Sequence, residues 1–375
     1  MCGERAAHRA ALPYGKDHSI FWEKNDMLTR KIYNEDHHMF RDSVRKMYQR
    51  ELVPKVEKWE QDGITDRDFW LACGANGMLL PDIPEQYGGG GLDFKFNSIV
   101  LEETAFAGTT GPAFGVHNDI VAHYIHNYAT EAVKQKWLPQ MASGQAIGAI
   151  CMSEPSTGSD LKALRTKATP VEGGYKLNGS KTFITNGINA DVAVIAARVG
   201  DEQGAKAISL FVCGCDEPGF VKGRKLDKVG NRSSDTAEIF FEDVFIPQEN
   251  LLGELGHGFI YMMKELPQER LSIAISCQAA AQHAYDITLD YVNERKAFGK
   301  SVMEFQNTRF GMADMRAKLQ VGWSHLDACI EALTNKELST DQAASAKLWH
   351  SELRCEVVDN CMQFFGGYGY IEEYE

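Results

Sequence analysis

The sequence predicts an α+β chain in which a helical segment, a β segment and a second helical segment follow one another. Apolar residues recur at helical intervals from 33 to about 140. Near Gly144 this gives way to eight short β-prone runs separated by Gly, Asn, Asp and Pro, the pattern of a compact β-barrel or sandwich. After Asn250 the helical spacing returns and continues to the end. The expected division is an extension at 1–30, an N-terminal α-helical domain at 31–145, a middle β domain at 146–250 and a C-terminal helical bundle at 251–375.

In the first helical segment Phe40, Val44, Met47, Tyr48 and Leu52 fall on one stripe, and Pro54 breaks or kinks it. A helix over 67–76 closes at Gly77, a residue suited to the left-handed cap. Four glycines at 88–91 exclude regular structure, so 84–91 is a loop. Helices are expected again at 94–107, 116–128 and 134–141. The β runs are 146–153, 165–168, 174–177, 182–185, 192–198, 208–212, 220–223 and 237–241, with an Asn178-Gly179 hairpin turn leading the strand at 182–185. In the last segment Phe259, Met262, Met263 and Leu266 mark an apolar stripe that Leu271, Ile275, Ala279 and Tyr285 continue past Pro267. A carboxylate, Glu269, stands among these apolar residues.

Composition excludes several functions. A chain of 375 residues with 44% hydrophobic content is long enough for two or three domains. A net charge of −13 argues against a nucleic-acid surface, so an anionic ligand must be held by local donors. No apolar run reaches the roughly 18 residues of a spanning helix. Nine scattered cysteines without CxxC spacing read as free thiols in a reducing compartment. The first 26 residues carry Arg5, Arg9 and Lys16 among alanines, either a presequence or a disordered extension.

Three stretches are chemically informative. Ser153-Glu154-Pro155-Ser156-Thr157-Gly158-Ser159-Asp160 is a hydroxyl-rich turn whose N–H and O–H donors could nest an anion, although such turns also simply join strands. The strand after Asn178-Gly179 puts Phe183 and Thr185 on one face, an aromatic and a hydroxyl able to receive a planar ring with a polar edge. A Phe183 packed in a sheet core is the alternative. Gln363-Phe364-Phe365-Gly366-Gly367-Tyr368-Gly369-Tyr370 ends a helical run with glycines that permit close approach to the backbone.

Together these stretches, with Arg295-Lys-Ala-Phe-Gly299, resemble the acyl-CoA dehydrogenase family from about Ile32 onward. The runs Lys264-Glu-Leu-Pro-Gln-Glu-Arg-Leu271 and Phe240-Phe-Glu-Asp243 look most like its long-chain subgroup. The resemblance implies an FAD flavoprotein, a homotetramer, that oxidises fatty acyl-CoA to trans-2-enoyl-CoA and passes electrons to electron-transferring flavoprotein, in the mitochondrial matrix or, in a bacterium, the cytoplasm. It implies that Ser153 faces the flavin pyrimidine and that Gly158 and Ser159 lie at the pyrophosphate. By the same resemblance Phe183 stacks on the isoalloxazine, and Thr185 bonds near flavin N5. Arg295, Phe298, Gln363 and Gly367 match residues that hold the adenosine half of FAD bound to a neighbouring subunit. Glu269 matches the catalytic base of the long-chain and isovaleryl subgroups, and Ser159 and Arg270 are expected at the substrate.

A base that takes a proton α to a thioester gains strength from desolvation, which suits a carboxylate in apolar company. Glu265, one turn earlier on the same face, is the competing base. The resemblance also implies a shortened C-terminal domain, because relatives continue past Gly-Tyr-Gly and Tyr374-Glu375 stands too close to Gly366-Gly367 to be the other family base. Ser156-Thr157 replaces a common Gly-Ala and is expected to add bulk beside the pyrophosphate. Gly111-Pro112-Ala113 opens a helix whose relatives floor the acyl pocket, or is simply a helix start. An acyl-CoA oxidase, a dehydrogenase for shorter or branched acyl groups, and an inactive chain acting only in assembly are the alternatives.

Overall fold

The computed structural model describes residues 28–371 and 374, apart from 110 and 201–203. The readings placed on the first 26 residues, Cys2 and Glu375 lie outside the described residues.

In chain order the α-helices of the described residues before the sheet are α1 (Glu35–Glu51), α2 (Val56–Asp62), α3 (Arg67–Ala75), α4 (Phe94–Phe106), α5 (Ala122–Tyr128) and α6 (Glu131–Ala142). A 3-10 turn, Val53–Lys55, contains Pro54 and separates α1 from α2, so the proline ends one helix and starts the next. Gly77 follows α3 with φ +67, and Thr130 caps α6 through its hydroxyl on the Val133 N–H. The expected helix at 116–128 is in two parts. Gly115–Val121 is a π turn, closed by the Ala122 N–H on the His117 carbonyl, and only then does α5 begin.

Strands β1 (Gly148–Cys151), β2 (Lys167–Val171), β3 (Gly174–Thr185), β4 (Val192–Val199), β5 (Ile208–Gly214), β6 (Phe220–Lys225), β7 (Thr236–Pro247) and β8 (Leu251–Leu252) follow. They form one eight-stranded sheet ordered β6-β7-β3-β2-β4-β5-β8, with β1 parallel to β4. β4 and β5 are buried almost throughout, which explains their continuous apolar sequence. Asn178-Gly179 is not a hairpin turn. It lies inside the twelve-residue β3, where the register against β7 slips between Leu177 and Gly179. The Asn178 side chain exchanges hydrogen bonds with Asp243, at 2.9 and 3.0 Å, while Gly179 has no room for a Cβ against Thr166. The turn between β2 and β3 is made at Gly173, φ +78.

After the sheet, α7 (Gly258–Glu294) runs 37 residues with Pro267 inside it. A short hairpin of β9 (Lys296–Ala297) and β10 (Lys300–Ser301) leads to α8 (Gln306–Thr334) and α9 (Thr340–Phe365). A capping box, Ser339 with Gln342, starts α9.

The chain forms two compact units. One takes 46–100 and 109–269, with the sheet core of Leu177, Ile195, Phe211, Ile239 and Val244 at its centre. The other takes, among the described residues, 28–45, 101–108 and those from 270 onward. Its α7, α8 and α9 pack through Ala281, Tyr285, Met312, Leu319, Leu353 and Val357. Here Glu102 and Glu103 of α4 are buried against Arg30, Arg41 and Arg45, at 2.7–3.0 Å. The eight described cysteines are free thiols, all buried but Cys355. No helix of the described residues is long and apolar enough to cross a membrane.

Candidate active site

In the sheet-containing unit, β3 sets the position of Phe183. Lys181 pairs with Ile239 but Ile184 pairs with Ala237, so three steps on β3 meet two on β7. The extra residue is a bulge, and Phe183 takes φ +59 within it. Left-handed backbone at a bulky residue costs about 1–2 kcal/mol. The outcome is an aromatic ring 69% exposed, followed by a buried Ile184 and a half-buried Thr185. A Phe183 packed in the sheet core is thereby excluded.

The bulge is anchored from beneath. Lys181 Nζ, fully buried, donates to Glu154 Oε1 and to the Met152 carbonyl, both at 3.0 Å. The Glu154 carboxylate also accepts from the N–H groups of Arg165 (2.6 Å) and Thr166 (2.9 Å). Burial alone would raise the Glu154 pKa, but Lys181 and the two amides outweigh it and hold the carboxyl below its ordinary value. Lys181, with fewer partners to offset its burial, is pulled down from its own ordinary value. The Thr182 N–H donates to the Ser153 carbonyl at 3.0 Å, so Ser153 is tied to the residue before Phe183.

The turn after Ser153 folds on itself. Glu154 and Thr157 exchange backbone hydrogen bonds at 2.9 and 3.0 Å, leaving Ser156, Gly158, Ser159 and Asp160 exposed. A Cβ at Gly158 would meet nothing within 4 Å, so the space beside this backbone is open. Thr157 is buried, with its hydroxyl on the Ala163 carbonyl at 3.3 Å. Its bulk is therefore spent inward, and only Ser156 lies on the open side. Asn186, at φ +61, closes the other end of β3 by donating to the Gly148 carbonyl (3.1 Å) and, through its N–H, to that of Asp235 (3.0 Å).

Glu269 is placed by different elements of the same unit. It sits half-buried on α7 and accepts a 3.0 Å hydrogen bond from the hydroxyl of Tyr124, which is fully buried on α5. One turn earlier Glu265 accepts from Tyr128 (2.5 Å) and Asn127 (3.1 Å). Between them Gln268 donates to the Asp119 carbonyl at 2.9 Å. The two carboxylates share a helix face, as their spacing requires. Tyr124, Tyr128, Glu154, Lys181 and Asn186 were missed as site residues. Each looks like an ordinary core aromatic or a motif filler until its partner, 27 to 145 positions away, is known.

The helical unit carries the remaining expected residues. Arg295 directly follows α7, lies 5.7 Å over the Tyr368 ring, and with Tyr291, Phe365, Gly366 and Gly367 lines a cavity of about 410 Å³. Gly367 has open space where a Cβ would stand. Phe298 occupies the two-residue turn between β9 and β10 with Gly299, both at positive φ (+52 and +83), and is 98% exposed. Gln363 is exposed on the last turn of α9. Arg295 and Gly367 thus share one cavity, whereas Phe298 stands on the adjoining hairpin. Arg270, half-buried, directly follows Glu269 in the chain.

In the sheet-containing unit an exposed aromatic platform, a neighbouring hydroxyl and an open glycine turn suit a large planar cofactor with phosphates, and the helical unit carries an arginine–glycine cavity of its own. Three family models match in succession: the N-terminal domain of acyl-CoA dehydrogenase over 34–145, the middle domain over 149–244 and the C-terminal domain over 256–375. The chain belongs to the acyl-CoA dehydrogenase family, FAD-dependent oxidoreductases that act on CH–CH donors. It is 44% identical to the mitochondrial long-chain specific acyl-CoA dehydrogenase of Sus scrofa over 351 residues, 93% of this chain and 82% of the relative. It is 35% identical to the mitochondrial isovaleryl-CoA dehydrogenase of Solanum tuberosum over 92% of this chain and 85% of that one. A crystal structure of an acyl-CoA dehydrogenase from Geobacillus kaustophilus matches with TM-score 0.90 and 45% identity, covering 92% of both chains.

Proposed function

We propose that this chain is a long-chain acyl-CoA dehydrogenase, converting long-chain acyl-CoA to trans-2-enoyl-CoA with Glu269 as the base. The observation that carries the reading is the seat of Glu269, a half-buried carboxylate held on α7 by the Tyr124 hydroxyl. A partly desolvated carboxylate is a stronger base than a solvated one, which suits removal of the proton on the carbon next to the thioester. FAD, when bound, would supply the acceptor for the hydride on the neighbouring carbon. Phe183 and Thr185 would hold the flavin ring with a face and a hydroxyl, and Ser153 would meet its pyrimidine. Gly158 and Ser159 offer backbone and hydroxyl donors to the pyrophosphate, with Ser159 also near the acyl-CoA. Arg295, Phe298, Gln363 and Gly367 hold the adenosine half of a cofactor carried by a neighbouring subunit of a homotetramer, and Arg270 contributes to substrate binding. Electrons leave to electron-transferring flavoprotein, in the mitochondrial matrix or, in a bacterium, the cytoplasm. The domains divide near 145 and 250.

The match to isovaleryl-CoA dehydrogenases supports a second reading in which the acyl group is shorter and branched. Anaerobic mixing of the purified holoenzyme with a series of acyl-CoA thioesters decides between them. The first reading expects flavin bleaching to be fastest with long straight chains, with no hydrogen peroxide formed in air. A preference for isovaleryl-CoA favours the second reading, and stoichiometric peroxide would make the protein an oxidase.

A further inference from the structure

We infer that Tyr124 is a positioning residue for the base: its hydroxyl aims the Glu269 carboxylate and sets its basicity, and the π turn before α5 fixes the rotation that makes this contact. The inference rests on the assignment of Glu269 as the base.

Tyr124 and Tyr128 lie one turn apart on α5, and Glu265 and Glu269 lie one turn apart on α7. They pair as two rungs, Tyr124 with Glu269 at 3.0 Å and Tyr128 with Glu265 at 2.5 Å. Gln268, bonded to the Asp119 carbonyl, adds a third tie between the same segments. The face of α7 that carries both carboxylates is therefore registered against 119–128. Tyr128 is in turn braced by Tyr261, whose ring stacks on it at 4.2 Å.

The rotation of α5 comes from the π turn. One residue beyond the α-helical count turns everything after it by about 100° about the helix axis. Buried side chains lock the turn. His117 accepts from the Gly148 N–H (3.0 Å) and donates to the Met141 carbonyl (3.1 Å). Asn118 bonds Leu80 and Met78 at 3.0 and 3.1 Å, and Asp119 accepts from Asn97 at 2.8 Å. A continuous α-helix through this segment would carry the Tyr124 hydroxyl away from Glu269.

The donor is a phenol that stays protonated: burial first, and Glu269 second, push its pKa far above the ordinary tyrosine value. A neutral donor bonded to a carboxylate favours its charged form, the form that can accept a proton. The other titratable groups that bear on this seat are Glu265 and Tyr261 on α7, Tyr128 and His123 on α5, Asp82, which pairs with His123, and Asp119 of the π turn.

The test is the pH profile of kcat/KM for the Tyr124→Phe holoenzyme, run beside Glu269→Gln and Tyr87→Phe. Tyr87 makes the same phenol-to-carboxylate bond to Glu131, at 2.9 Å, and serves as control. Loss of a hydrogen bond to the charged form should move the acidic limb of Tyr124→Phe up by about one pH unit, with flavin content and melting temperature held, while Tyr87→Phe keeps the wild-type limb. Site-specific 3-fluorotyrosine at 124, a more acidic phenol, should move the limb down and serves if Tyr124→Phe fails to fold. An unmoved limb in the folded phenylalanine variant, or with the fluorinated residue, overturns the inference while leaving the base assignment intact. Wild-type turnover by Glu269→Gln overturns the assignment itself.

Discussion

Phe183 and Phe298 are alike in two respects: both rings lie open, 69% and 98% exposed, and both backbones are left-handed. They differ in what enforces that conformation. Phe183 sits in a bulge with β7 paired on either side of it, above the buried Lys181–Glu154 pair. Phe298 sits at the tip of a ribbon two residues long on each side, with an edge-on contact to Phe305 at 6.2 Å. A two-stranded ribbon is marginal by itself. The same strained aromatic is therefore fixed by the sheet in one place and weakly held in the other. A rigid platform suits the reacting ring of a cofactor. A hairpin tip suits a part that closes down on what it binds.

The largest effect that sharpens this contrast is at the anchor of the bulge. Lys181→Met leaves the Glu154 carboxylate buried without its cation and should destabilise the fold by about 3–5 kcal/mol in urea unfolding, with loss of flavin. If this variant were as stable as wild type, the bulge would not be held from beneath.

Acid tests the same anchor. The folded pKa of Glu154 is depressed, so its contribution is fully present above the ordinary carboxylate value of 4.5 and is lost as pH falls through the lower folded value. Protonation also removes the penalty in Lys181→Met, so the stability gap between the two proteins should narrow as pH drops below 4.5. A constant gap would count against the ion pair.

Next comes Phe183→Gly. Glycine takes the left-handed backbone freely, so the fold should gain about 1 kcal/mol while flavin retention falls. Simultaneous loss of stability would mean that Phe183 is packing rather than platform.

The smallest effect is at the hairpin. Phe298→Asn keeps a residue that tolerates the turn and should leave stability within about 0.5 kcal/mol, with modestly weaker flavin retention. Removing flavin should raise amide exchange more at 296–301 than at 181–185; equal changes would erase the contrast between the two regions.

Periodicity made the helical, β and helical order legible, because the faces that pack are those the spacing marks. Asn178-Gly179 was misread as a turn because the same dipeptide chemistry serves a β-bulge, and only the pairing with β7 tells them apart. The π turn leaves no mark in sequence: its apolar spacing continues that of α5, and the extra residue shows only in the Ala122 to His117 bond. The motif residues around Phe183 could be found in sequence, but the burial of Lys181 on Glu154 depends on the fold of the sheet. Tyr124 reads as one more core aromatic on a helical stripe. Its role depends on α7, whose facing carboxylate is 145 positions away.

The central claim is tested most directly by mixing anaerobic, flavin-loaded Glu269→Gln and Glu265→Gln with a long-chain acyl-CoA and following the flavin absorbance in a single turnover. The account predicts that Glu269→Gln keeps its flavin and binds the thioester but bleaches roughly 100- to 10,000-fold more slowly, while Glu265→Gln slows by no more than about tenfold. Bleaching by Glu269→Gln at the wild-type rate, or its loss in Glu265→Gln alone, would contradict it.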